Sequence, residues 1–487
     1  MSMIRVSDLS FCYEGSYDEI FSHVSFSVDT DWKLGFVGRN GKGKTTFLRL
    51  LQGLYPYTGR IDASVAFTYF PFEVPDPART AQEVALSLCE APLWQLEREL
   101  SKLCVDLAAL SRSYQTLSMG EQTKLLLAAL FLRPNNFLLI DEPTNHLDLA
   151  GRQTVSRYLN GKQGFLLVSH DRAFLDGCID HVLSINRCSI TVQKGNYTCF
   201  AAEKQRQDRF ELAQNEKLEQ QIERLSQAAD RTAGWSNALE RDKIGTHAGD
   251  RGYIGAKSAK LMKRAKSIRA RQEDAVVEKQ KLLKNIERNE TLKITPLRHH
   301  AAILAEAINL VPYYGEQAVT KPISFTIRQG QRIALTGKNG AGKSTLLKFF
   351  TGQPPRYDGA FRTASGLIIS YVPQDTSYLC GLPITYARAC GIDETLFLTI
   401  LRKFDFPRVQ FEKDMRLFSA GQKKKIALAV SLSQQAHLYV WDEPLNYIDL
   451  LSRIQIEELL QKESPTMLFV EHDAAFLEHI QTDAIPL

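Results

Sequence analysis

One short pattern occurs twice in this chain and limits what it can fold into. Gly38-Arg-Asn-Gly-Lys-Gly-Lys44-Thr45-Thr46 and Gly337-Lys-Asn-Gly-Ala-Gly-Lys343-Ser344-Thr345 both have the form G-x-x-x-x-G-K-[ST]. Each follows a short apolar run, Lys33–Val37 and Arg332–Leu335, and the first opens the apolar segment 47–51. A glycine-rich turn between a strand and a helix N-terminus lets consecutive backbone N–H groups face phosphate oxygens. Gly38, Asn40, Gly41, Gly43 and Thr46 form such a cradle in the first copy. Gly337, Asn339, Gly340, Gly342 and Thr345 form it in the second. Lys44 and Lys343 are expected on the β/γ phosphates of ATP, and the Thr45 and Ser344 hydroxyls on Mg2+.

Each loop is followed by the same series of motifs. Leu117-Ser118-Met119-Gly120-Glu121-Gln122 reads by itself as a helix cap, with Ser118 at the N-cap and Glu121 at the capping-box position. Its counterpart is Phe418-Ser419-Ala420-Gly421-Gln422. The apolar runs Asn136–Ile140 and Leu438–Trp441 then end in the carboxylate pairs Asp141-Glu142 and Asp442-Glu443. Asp141 and Asp442 suit Mg2+, and Glu142 and Glu443 suit polarisation of an attacking water. Next come Pro143-Thr-Asn-His-Leu-Asp148 and Leu445-Asn-Tyr-Ile-Asp449, then Ser169-His170-Asp171 and Glu471-His472-Asp473. His170 and His472, at strand ends, are expected to hydrogen-bond the γ-phosphate and the lytic water. Lys44 to Ser118 is 74 positions and Lys343 to Ser419 is 76, while Ser118 to Asp141 and Ser419 to Asp442 are both 23. Two full series at matched intervals define a tandem repeat.

This set resembles the ATP-binding cassette (ABC) ATPases. The resemblance implies an α/β fold of two tandem P-loop ATPase domains meeting head to tail. ATP on Lys44 and Glu142 would then be gripped by Ser419 and Gly421, and ATP on Lys343 and Glu443 by Ser118 and Gly120. The family also places a Mg2+-linked glutamine after a strand between phosphate loop and capped helix. Gln374 meets that expectation, but Phe72 stands at the matching position of the first copy. A phenyl ring cannot ligate Mg2+, so the two sites are expected to turn over unequally. Tyr13 and Tyr314 are candidates for stacking on adenine, and equally for core packing.

Between the copies lies a charged stretch, Ala202 to Leu297. Apolar residues at three-to-four spacing predict one helix over Gln205–Thr232 and another over Lys257–Arg288. The interval between, with Gly234, Trp235, Gly245, His247, Gly249, Gly252, Tyr253 and Gly255, reads as a loop. The expected division is 1–200, 201–298 and 299–487: ATPase domain, extended antiparallel helical hairpin, ATPase domain. Net charge is only +5, yet Arg251 to Arg271 contains Lys257, Lys260, Lys263 and Arg264 with no acidic residue. Such a run is either a solvated face or a phosphate-binding strip. The 44% hydrophobic and 24% charged composition is ordinary for a soluble chain. No apolar run approaches the roughly 18 residues that span a bilayer, and the N-terminus lacks a signal-peptide core. A cytoplasmic location is expected. The eight cysteines are scattered without a Cys-x-x-Cys pair, which favours reduced thiols over a metal centre.

Two cassettes joined by a basic hairpin, without a membrane segment, resemble the ABC-F family of ribosome-associated ATPases. About 45 residues separate Phe72 from Leu117, leaving no room for the arm that housekeeping members carry there. Asp141-Glu-Pro-Thr-Asn-His-Leu-Asp-Leu-Ala-Gly-Arg152, Trp441-Asp-Glu-Pro-Leu-Asn-Tyr447 and Gly255-Ala-Lys-Ser-Ala-Lys-Leu-Met-Lys-Arg264 are similar to the Lsa-type antibiotic-resistance branch. That resemblance implies a monomeric bacterial protein on the 70S ribosome. Its hairpin would enter the tRNA exit-site region beside 23S rRNA and P-site tRNA and dislodge lincosamides, pleuromutilins or streptogramin A. Trp235, His247, Tyr253, Lys257, Lys260, Lys263 and Arg264 would then be rRNA contacts, with no DNA and no membrane partner. The alternatives are a housekeeping factor for stalled ribosomes, the ATPase subunit of a drug exporter, and a DNA-repair ATPase.

Overall fold

A computed structural model describes residues 2–13, 19–39, 41–145, 147–186, 189–245 and 292–487. Its chain divides into two compact units, Met1–Thr198 with Asn289–Leu487, and Cys199–Arg288.

The first unit holds both copies. In copy one, a six-stranded sheet runs in the order Ala66–Phe70, Asn136–Asp141, Phe165–Val168, Lys33–Val37, His181–Asn186, Ser189–Lys194. The first five strands are parallel and the last antiparallel. Copy two repeats this in five parallel strands: Ile369–Val372, Leu438–Asp442, Met467–Val470, Arg332–Thr336, Asp483–Pro486. The central strands are unbroken apolar runs because helices cover both faces; Phe165–Val168 and Met467–Val470 are buried at every residue. Each copy adds a smaller antiparallel sheet, built on Met3–Cys12 and on Ile303–Tyr314. The two tandem α/β ATPase folds expected from the motifs are present.

Parallel register carries the functional residues to one edge. Asp141 pairs with Val168 and Asp442 with Val470. The carboxylates therefore sit beside the histidine loops, at the carboxyl ends of strands where open α/β sheets bind ligands.

The second unit corrects one reading. The first linker helix runs Tyr197–Gly245, so the backbone at Gly234 and Trp235 is helical rather than loop. Two isolated glycines among Ala, Leu, Glu, Arg and Lys cost about 1 kcal/mol each, too little to end a long helix. Trp235 is therefore placed within this helix. His247, Tyr253, Lys257, Lys260, Lys263, Arg264 and the second helix lie outside the described residues, as do Asn40 and His146.

Candidate functional site

The phosphate loops are alike in detail. Gly43 and Gly342 take φ of 95° and 94° at the N-caps of Lys44–Leu51 and Lys343–Leu347. A Cβ there would lie 2.6 Å from Ile20 or 2.7 Å from Val319, so glycine is required on conformational and steric grounds together. Lys44 Nζ donates to the carbonyls of Gly38 (2.6 Å) and Arg39 (3.2 Å). Lys343 Nζ does the same to Gly337 (2.8 Å) and Lys338 (3.0 Å). Burial pulls both ammonium groups below the usual lysine range.

Three later motifs share one device: each ends as the N-cap of the next helix. Ser118 and Ser419 form complete capping boxes with Glu121 and Gln422, fixing the starts of Met119–Phe131 and Ala420–Ser433. Asp148 and Asp449 cap the next pair by accepting from Gly151 N (2.8 Å) and Ser452 N (3.0 Å). Asp171 and Asp473 cap the helices after the histidines, accepting from Phe174 N and Phe476 N. Arg152 Nη1 and Arg453 Nη1, each 2.9 Å from Asp171 and Asp473, tie the histidine loops to those helices. No local pattern advertised these two buried arginines.

At the strand ends Thr45 Oγ1 donates to Asp141 Oδ2 at 3.1 Å, and Ser344 hydrogen-bonds Asp442. Asp442 Oδ1 is buried without a hydrogen-bond partner. Carboxylate and hydroxyl oxygens with a buried lone pair to spare suit a hard cation such as Mg2+. Glu142 and Glu443 have φ of 50° and 46°, a conformation that non-glycine residues hold only when surroundings impose it. His170 Nε2 lies 3.3 Å from Glu142 Oε1, and His472 Nε2 3.5 Å from Glu443 Oε1. Burial, with Lys44 next, pushes His170 far below the usual imidazole range.

The two copies differ at the position singled out in the sequence. Gln374 Nε2 donates to Glu443 Oε2 at 2.9 Å. Burial raises the Glu443 carboxyl, but the neighbouring His472 and the Gln374 hydrogen bond outweigh it, and the net shift is downward. Phe72 can donate nothing, and burial with Asp141 nearby drives Glu142 up to about 8. In the first copy Tyr69 OH instead donates to Asp141 Oδ2 at 2.9 Å. Sequence reasoning does not find this contact, although Tyr69-Phe-Pro and Tyr371-Val-Pro occupy matching positions in the two copies.

Tyr13 OH shares a 2.8 Å hydrogen bond with Thr46, and its ring packs edge-on against Phe11 and Tyr55. Tyr314 OH accepts from Thr345 (3.4 Å) and Lys348 (3.3 Å). Both rings stay open to solvent, 41% and 55% exposed, beside the phosphate-loop helices.

The copies face each other head to tail. One cavity of about 810 Å3 is lined by Ser118, Gly120 and Asp148 on one side and by Gly340, Lys343 and Glu443 on the other. Gln374, His472 and Tyr314 complete it. Reciprocally, Lys44 and His170 lie in the field of Asp449 and Lys425 from copy two. Each phosphate loop thus faces the capped helix or the following loop of the other copy.

Such geometry defines a class: a tandem P-loop ATPase whose phosphate loops face the opposite cassette. Residues 21–145 and 320–446 both match the ABC transporter family. A Bacillus subtilis protein named "Ribosome protection protein VmlR" is 28% identical over 96% of this chain and 83% of its own length. Escherichia coli K12 "Probable ATP-binding protein YheS" is 26% identical, covering 95% and 76%. Arabidopsis thaliana "ABC transporter F family member 2" is 25% identical, covering 98% and 75%. Among solved structures, the archaeal ribosome recycling factor aABCE1, in complex with ribosomal stalk protein aP1, shares the fold. Its TM-score is 0.64 at 19% identity, over 98% of this chain and 87% of that one. The chain belongs to the ABC transporter family. It is an ATP hydrolase.

Proposed function

We propose that this ATPase works on the ribosome, closing on it with ATP bound and leaving after hydrolysis. The division into ATPase domains 1–200 and 299–487 and a connecting arm 201–298 belongs to this reading. The cavity built from both copies carries the ATP-driven closure, and the name of the relative that matches nearly the whole chain supports the ribosomal partner. Lys44 and Lys343 hold the β/γ phosphates, and Ser419 and Ser118 with their helix N-termini grip the γ-phosphate from across the interface. Asp141 with Thr45, and Asp442 with Ser344 and Gln374, hold Mg2+, which supplies charge neutralisation at the phosphates when bound. Glu142 and Glu443 orient the attacking water, and His170 and His472 hold those carboxylates in place. Tyr13 and Tyr314 offer their open rings to adenine. ATP stabilises the closed state by binding both faces, and hydrolysis removes that preference.

Ribosome protection is the finer reading. It is supported by the name of the relative that matches nearly the whole chain, and by the basic run from Arg251 to Arg271. In this reading the arm reaches the peptidyl-transferase region and displaces lincosamide, pleuromutilin or streptogramin A type drugs. Among the described residues no helix is long and apolar enough to cross a membrane. The test is a pull-down with Glu142→Gln, Glu443→Gln. Ribosomes are expected with ATP and absent with ADP, and translation inhibited by a lincosamide is expected to resume when wild-type protein is added. Recovery of a membrane protein in place of ribosomes would sink the ribosomal reading. Ribosome binding without drug relief would leave a general translation factor.

A further inference from the structure

The two composite sites differ in what bridges their halves. Arg172 directly follows His170 and Asp171 of the first site. Its guanidinium pairs with Glu457 of copy two. Glu457 is buried on Leu450–Glu463, the helix capped by Asp449, and its second oxygen faces His479 Nδ1 at 3.3 Å. Asp449 itself acts on Lys44 and His170, so this ion pair spans the first site directly behind its histidine. A second pair spans the same site from the front: Arg39, in the first phosphate loop, lies 3.6 Å from Asp405 of copy two.

The repeat supplies an internal control, because each of these residues has a counterpart at the second site. Counting from the capping aspartates, Arg172 corresponds to Ala474, Glu457 to Ser156 and His479 to Gly177. Counting from the phosphate loops, Arg39 corresponds to Lys338. Asp405 corresponds to Cys104, and the two share a left-handed φ of 55° and 52°. Neither counterpart pair, Ala474 with Ser156 or Lys338 with Cys104, supplies the opposite charges that an ion pair across the second site needs. Ala474 and Ser156 instead line an open cavity of about 380 Å3 with Leu149, Arg152, Arg157 and Phe174. The space filled by a charge pair at one site is left vacant at the other.

We infer that Arg172–Glu457 and Arg39–Asp405 form a one-sided clamp that keeps the Lys44 site closed while the Lys343 site opens to exchange nucleotide. The inference rests on the sandwich reading above. Arg172–Glu457 is a hydrogen-bonded, largely buried charge pair, and removing one partner from such a pair acts mainly on the dissociation rate. Arg39–Asp405, with Asp405 half exposed, adds a weaker contact on the same side. The charges therefore set the order of release without touching ATP.

The experiment uses the full chain carrying Glu142→Gln, Glu443→Gln, loaded with a fluorescent N-methylanthraniloyl ATP and chased with excess ATP. Release is expected in two phases, the slow one absent when Lys44→Ala is added. Glu457→Gln with Asp405→Asn should speed the slow phase by about tenfold or more, leaving the fast phase unchanged. Ala474→Arg with Ser156→Glu, which installs the missing pair in the vacant cavity, should slow the fast phase. A single phase, a slow phase lost with Lys343→Ala instead, or a slow phase indifferent to Glu457→Gln with Asp405→Asn would each overturn the clamp while leaving the sandwich intact. No nucleotide retained at either site would overturn the sandwich reading itself.

Discussion

At the scale of single residues, one difference between the two sites can be followed from side chain to chemistry. Phe72 leaves Glu142 without the amide that Gln374 gives Glu443, and burial without such a donor shifts the Glu142 carboxyl toward its neutral form. We expect Phe72→Gln to raise turnover at the Lys44 site severalfold, read by single-turnover hydrolysis in a Glu443→Gln background. An unchanged rate would mean that the glutamine position is silent there. Tyr69 is the partner that sequence reading passed over. Its hydroxyl orients the Asp141 carboxylate, and a hydrogen bond to a charged group contributes about 1.5–3 kcal/mol. Tyr69→Phe should therefore weaken Mn2+ binding at the first site by about tenfold in paramagnetic resonance titrations. Tyr371→Phe, which loses no such contact among the described residues, should not. Phe72 stood out because contiguous motifs set an expectation for that position. Tyr69 did not, since only the parallel register of Ala66–Phe70 beside Asn136–Asp141 brings it to the carboxylate.

At the scale of elements, each chemical loop is held by the helix it begins. Asp171 caps one helix while it receives Arg152 from another, both inside the protein. Removing one member of a buried pair leaves the other charge uncompensated, at a cost of about 3–5 kcal/mol. Arg152→Ala and Arg453→Ala should each lower the denaturation midpoint by that measure and also displace the adjoining histidine, so ATP hydrolysis should fall more than ATP binding. Glu99 on the helix Leu93–Lys102 provides a pH test. Burial alone would raise its carboxyl, but hydrogen bonds from Lys102 and Lys162 pull it down to about 2. Because its folded value lies below the unfolded one, its stabilisation is complete above about pH 4.5 and is lost as the pH falls toward 2. Wild type minus Glu99→Gln in thermal melts should give a difference that shrinks over that window; a constant difference would refute the assignment. Elements were legible wherever a motif bounded them. The strands ending in Val37 and Asp141 and the helices begun by Ser118 and Ser419 lie where apolar runs and capping residues put them. The linker helix overran its expected end because glycine was read as a stop, whereas its cost is small beside the good helix formers around it.

At the scale of the whole molecule, duplication was plain in the spacing, but how the copies meet was carried by the family resemblance. The long-range pairs at their interface, such as Arg172 with Glu457, join residues whose numbers bear no pattern. Head-to-tail closure predicts an exchange of effects between copies. Ser118→Ala should depress hydrolysis at the Lys343 site and spare the Lys44 site, each read in the background where the other glutamate is Gln. Loss at the Lys44 site instead would refute the reciprocal pairing. Since both halves of every site reside on one polypeptide, closure is a unimolecular event. Its equilibrium is set by the effective concentration that covalent linkage imposes and not by how much protein a cell makes. A chain severed between its repeats would therefore acquire an activity that disappears on dilution, while the intact protein would work equally well at a few copies per cell.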